Sequence, residues 1–81
     1  MGVGAIKRPR LVKRSFTLAG HRTSVALEPE FWAELAEVAA RRGQSLAALV
    51  SEADTARGPG QPLASALRVL ALRTALERER G

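Results

Sequence analysis

Three sets of residues in this chain have types and spacings that could do chemistry. Glu30, Glu34 and Glu37 recur at helical intervals. Paired carboxylates can run general acid–base catalysis, but no nucleophile or base stands at catalytic spacing from these three. They read as a solvated helix face, and no enzymatic activity is expected. The second set is metal-ligating, and it is nearly empty: one His, His21, and no Cys. One chain cannot assemble a ligand cluster from that, so neither metal nor cofactor is expected, and disulfides are excluded. The third set suits a polyanion. Arg22-Thr23-Ser24-Val25-Ala26-Leu27 alternates, so Arg22, Ser24 and Ala26 share one face of a strand and Thr23, Val25 and Leu27 the other. An Arg can grip a guanine edge with two hydrogen bonds, and a Ser can donate to or accept from several bases. Ala26 offers only a contact to a thymine methyl.

The charge distribution supports the third set. The net charge is +5. Lys7, Arg8, Arg10, Lys13, Arg14 and Arg22 all precede the first acidic residue, Glu28. The other seven of the thirteen basic residues are mixed with all eight acids. A basic first third suits nucleic acid first and an anionic membrane surface second. Gly2, Gly4 and Pro9 argue against an amphipathic targeting helix there, and no hydrophobic signal region follows, so secretion is not expected. No aliphatic run approaches the length of a membrane span. A cytoplasmic place, at the nucleoid of a bacterium, and no membrane partner are the expectations.

The elements that must position these residues follow from periodicity. With 81 residues the chain has room for one small domain, which favours oligomerisation. Residues 1–12 read as a flexible basic arm and 13–81 as the folded domain. Residues 14–18 alternate weakly and could form a strand, Ala19-Gly20-His21 a turn, and 22–27 a clear strand. Pro29 suits the first turn of a helix over 29–42, whose stripe is Phe31, Trp32, Leu35, Val38 and Ala39. Gly43 stops it. Ser45 caps a second helix over 45–57, striped by Leu46, Leu49, Val50 and Ala53. Arg57-Gly58-Pro59-Gly60 breaks the chain before a third helix over 62–79. Leu63, Ala66, Leu67, Val69, Leu70, Leu72 and Leu76 cover more of that helix than one narrow face, as packing on both a core and a partner would require. No internal repeat or low-complexity segment is evident.

The fold class expected is mainly α with one short β-strand. A lone strand has unpaired edges whose backbone groups need partners. Pairing 22–27 antiparallel with the same strand of a second copy satisfies them. The apolar face of that ribbon then covers the helices. The face carrying Arg22, Ser24 and Ala26 is free to enter the major groove, which admits a two-stranded ribbon.

The ordered set Arg22-Thr23-Ser24-Val25-Ala26-Leu27, Glu28-Pro29, a striped helix, Arg42-Gly43-Gln44-Ser45 and a second striped helix resembles the ribbon-helix-helix family, which includes the Arc and MetJ repressors. Gly20-His21-Arg22-Thr23-Ser24-Val25, Phe31-Trp32 and Ala64-Ser65-Ala66-Leu67-Arg68-Val69 look like a bacterial branch of it, and extend the likeness from about Lys13 to Leu76. The resemblance implies an intertwined homodimer with an intermolecular antiparallel ribbon, here with a third C-terminal helix. Arg22, Ser24 and Ala26 match positions that contact bases. Ser45, Leu46 and Ala47 match the start of the second helix, whose N–H groups hold a DNA phosphate, as a positive helix end can without any basic side chain.

Lys13, Arg14 and His21 join the candidate phosphate contacts. The candidate dimer core is Val25, Leu27, Phe31, Trp32, Leu35, Leu46, Leu49 and Val50. For Phe31 and Trp32, core packing outweighs stacking on bases. The function expected is a homodimeric, sequence-specific DNA-binding protein, a bacterial transcriptional regulator such as a repressor, with double-stranded DNA and itself as partners. The alternative is an antitoxin or other interaction module that binds a partner protein through residues 63–76.

Overall fold

A computed structural model describes residues 10–81 of the chain. The element order is β1 (Val12–Leu18), β2 (His21–Leu27), α1 (Pro29–Arg41), α2 (Leu46–Ala56) and α3 (Leu63–Arg80). Most of the expected arm, residues 1–9, lies outside the described residues. Its last residue, Val12, begins β1.

The expectation that 22–27 lacks a mate in its own chain is overturned, and the possible strand over 14–18 is that mate. β1 and β2 pair antiparallel along their whole length, from Val12 opposite Leu27 to Leu18 opposite His21. Ala19 and Gly20 connect them with φ of 50° and 82°. Positive φ at both central residues is the geometry of a tight two-residue hairpin turn that matches strand twist. β1 and β2 thus form a two-stranded ribbon within the chain, and each keeps one outer edge without a strand partner among the described residues.

Cross-strand partners share a face. Val12, Arg14, Phe16 and Leu18 lie with Leu27, Val25, Thr23 and His21 on the inner side. Phe16, Leu18, Val25 and Leu27 are buried there. The helices close the core with Trp32, Leu35, Val38 and Ala39 of α1, Leu49 and Val50 of α2, and Leu67 and Ala71 of α3. The Phe16 and Trp32 rings meet at 5.9 Å, tilted by 37°. The Trp32 indole Nε1–H donates to the Val12 carbonyl at 2.7 Å, which ties the start of β1 to α1.

α1 ends where Gly43 takes φ 68°. Its N–H donates to the Ala40 carbonyl and that of Gln44 to the Ala39 carbonyl, closing the orphan carbonyls of the last turn. Two ion pairs hold α3 across the domain. Arg68 reaches Glu28 at 2.9 Å, and Arg78 grips both oxygens of Glu34, at 2.6 and 2.8 Å. Thr74 adds a hydroxyl to Glu34 at 2.9 Å. The Arg78 guanidinium, foremost, holds the Glu34 carboxyl below the usual glutamate range.

Residues expected at a dimer interface sit in this single-chain core. Val25, Leu27, Trp32, Leu35, Leu49 and Val50 are buried within one protomer, and Phe31 and Leu46 are half-buried against them. Their burial needs no second copy.

Candidate nucleic-acid interface

The outer face of the ribbon is built by the residues that alternate with the core set. It carries Lys13, Ser15 and Thr17 from β1 opposite Ala26, Ser24 and Arg22 from β2. All are exposed except Ala26, which is half-buried. The Ser15 and Ser24 hydroxyls are hydrogen-bonded at 2.9 Å in the middle of the face. The Arg22 guanidinium donates to the Thr17 hydroxyl at 3.3 Å, which restrains its rotamers. No acidic residue occurs in residues 12–27. The surface is a cationic ribbon with a hydroxyl pair at its centre.

The structure separates the other candidates. Lys13 joins Arg22, Ser24 and Ala26 on the outer face. Arg14 lies on the inner side, where its guanidinium caps the Trp32 ring at 5.4 Å from the centroid while remaining exposed. His21 sits at the turn end of the inner side, opposite Leu18, and is exposed.

Ser45 caps α2: its Oγ accepts from the Ala48 N–H at 3.0 Å. The first intrahelical bond runs from Leu49 N–H to the Ser45 carbonyl. The N–H groups of Leu46 and Ala47 thus belong to the unpaired first turn, where an anion is favoured. This helix start adjoins β1 across a shallow groove of about 310 Å³ lined by Val12, Arg14, Trp32 and Leu46 among others. Arg14 and the α2 N-terminus therefore flank one groove beside the ribbon.

Sequence reasoning does not single out Ser15 and Thr17. Their parity in β1 is the available signal, and it becomes readable only once the strand's register is known. A groove of about 480 Å³ lies elsewhere, between the C-terminal ends of α1 and α3. It is lined by Arg41, Arg42, Thr74, Glu77 and Arg78, but Arg78 is already committed to Glu34. No group of three or more acidic, His or Cys side chains among the described residues could hold a metal ion. No helix among the described residues is long and apolar enough to cross a membrane.

The outward side of α3 is the other notable surface. Val69, Leu72 and Leu76 are 42%, 58% and 56% exposed, on the side of the helix opposite Leu67 and Ala71.

The sequence model of a family described as ribbon-helix-helix domain fits residues 11–75. Neither a curated protein nor a solved structure matches the chain.

Proposed function

The chain belongs to the ribbon-helix-helix family, and on that premise we propose that it is a DNA-binding protein that regulates transcription in a bacterium. The carrying observation is the outer face of the β1–β2 ribbon. It is two strands wide, free of acids, and presents Lys13, Arg22 and a central pair of serine hydroxyls to solvent. A ribbon of this width enters the major groove, where Arg and Lys contact guanine and hydroxyls contact any base. Arg22 and Ser24 read base edges, with Ala26 beside them against a thymine methyl. The α2 start at Ser45, Leu46 and Ala47 holds a phosphate. Arg14, and His21 at the turn, contribute at the backbone.

Two copies act together, joined through the Val69, Leu72 and Leu76 stripe rather than through β2. A partner protein seated on that same stripe is the second reading, and the exposure of its leucines favours it. The two differ in solution mass: the first reading gives twice the chain mass for the pure protein, the second a monomer until its partner is added.

Mobility shifts of genomic fragments by the intact chain test DNA binding. If about four phosphates are neutralised in all, log K falls with log salt at a slope of about −4. Absence of retardation at low salt contradicts the proposal.

A further inference from the structure

The register of the ribbon exposes a repeat that the linear sequence conceals. A two-fold axis normal to the sheet, passing between Ser15 and Ser24, carries each residue of β1 onto the residue nine positions later in β2. Lys13 falls on Arg22, Ser15 on Ser24, Phe16 on Val25, Thr17 on Ala26 and Leu18 on Leu27. The Ser15–Ser24 hydrogen bond, 2.9 Å between residues nine apart, lies on this axis.

Burial accounts for the inner matches, because Phe16, Val25, Leu18 and Leu27 all face the same core. It does not account for the outer ones. Solvent admits any polar residue, yet a cation falls on a cation, a serine on a serine and a small residue on a small residue. On the inner side two pairs do not match, Val12 with His21 and Arg14 with Thr23, and on the outer side the symmetry is broken at one place. Thr17 braces Arg22 with its hydroxyl, whereas Ala26, opposite Lys13, has none to offer.

B-DNA carries local two-fold axes that open into its major groove. A ribbon seated with its own axis on one of them places Lys13 and Arg22 against symmetry-related base pairs and opposite strands. The two residues stand four strand positions apart along the ribbon. At about 3.4 Å per residue that is roughly 14 Å, or about four base-pair rises.

From this juxtaposition, and resting on the DNA-binding reading above, we infer that one chain reads a short inverted repeat by itself. Lys13 is the counterpart of Arg22, each directed at a guanine on a different strand, with the serine pair over the central step. β1 supplies within the chain the second strand that a two-chain ribbon takes from its partner. Two joined copies then read two such elements.

Selection from randomised duplexes with the full chain, followed by anisotropy titrations, tests this. The expected element is an approximate inverted repeat with one guanine per strand, about four base pairs apart, titrating with one chain per element. Lys13→Ala and Arg22→Ala each weaken binding to it about tenfold or more. Each becomes indifferent to replacement of one symmetry-related guanine, and the two respond to opposite ones. Both side chains are exposed, so an unchanged circular-dichroism melt confirms that each variant folds. The exchange variant Lys13→Arg with Arg22→Lys keeps the same inverted repeat. An asymmetric element that answers to Arg22 alone, or one needing two chains to fill, overturns the inference and leaves the DNA-binding reading standing. Failure of the parent chain to select any duplex overturns both.

Discussion

Ala19 stands where the hairpin turn asks for something else. Its φ of 50° and the 82° of Gly20 are both left-handed. Alanine in that region brings its Cβ against the following carbonyl, at about 1–2 kcal/mol. Asparagine visits the region several-fold more readily, and Asn-Gly is the favoured pair for this turn. Ala19 is exposed, so replacing it gives up no packing. Ala19→Asn is therefore expected to stabilise the chain by about 1 kcal/mol, raising Tm by about 4–8 °C in a domain of this size. Ala19→Gly relieves the same strain but adds disorder to the unfolded chain, so its net effect stays near zero. Gly20→Val acts the other way. A Cβ there has open space, with nothing within 4 Å, so the cost is purely one of backbone conformation and exceeds that of Ala19. Thermal unfolding by circular dichroism at matched concentrations places Ala19→Asn highest, the parent and Ala19→Gly together below it, and Gly20→Val lowest. An unchanged or lowered Tm for Ala19→Asn refutes the reasoning, because it means that the chain does not double back at this point.

Trp32→Phe removes the indole donor to the Val12 carbonyl and part of the ring packed on Phe16. It is expected to cost about 1–3 kcal/mol, read as a lower denaturation midpoint at constant slope. The Glu34 carboxyl is lowered by the Arg78 and Thr74 hydrogen bonds. A group with a lowered folded pKa contributes stability that is present above its unfolded value, about 4.3, and lost as pH falls through the folded one. Stability therefore declines below about pH 4.3, and the gap between parent and Glu34→Gln closes over that window. Glu28, lowered by its own backbone N–H and then by Arg68, leaves a residual slope of the same sign in the variant. Substituting Leu72 and Leu76 together by Ser is expected to reduce the sedimenting mass to one chain while the fold is kept, since both side chains are more than half exposed. A dimer that persists rules out the α3 stripe as the joint.

Much of the helical layer was legible in the sequence. The Trp32-Leu35-Val38-Ala39 stripe, the Gly43 stop and the Ser45 cap each rest on local rules that depend on neighbours three or four residues away. The doubled apolar coverage of α3 was also visible, because a core needs only the face with Leu67 and Ala71. The ribbon was less legible for a physical reason. A possible strand over 14–18 and a turn at Ala19-Gly20-His21 were legible, but the alternation of Phe16 and Leu18 is too short to show which strand they pair with, and no Asn at position 19 marks the turn as a two-residue one. Without that turn β1 has no register, and without register parity assigns nothing. Lys13 and Arg14 are adjacent in sequence, yet one faces outward and the other caps Trp32. The same gap hid Ser15 and Thr17 and the nine-residue correspondence, which becomes visible only when two strands are laid side by side. The tie from Trp32 to Val12, across twenty residues, leaves no local trace at all.

Amide chemical-shift mapping of the full chain during titration with a selected duplex tests the central claim most directly. The account predicts that the largest changes fall on Lys13, Ser15, Thr17, Arg22 and Ser24, together with the Leu46 and Ala47 amides at the α2 start. Changes centred on α3, with the ribbon amides unmoved at saturation, contradict it.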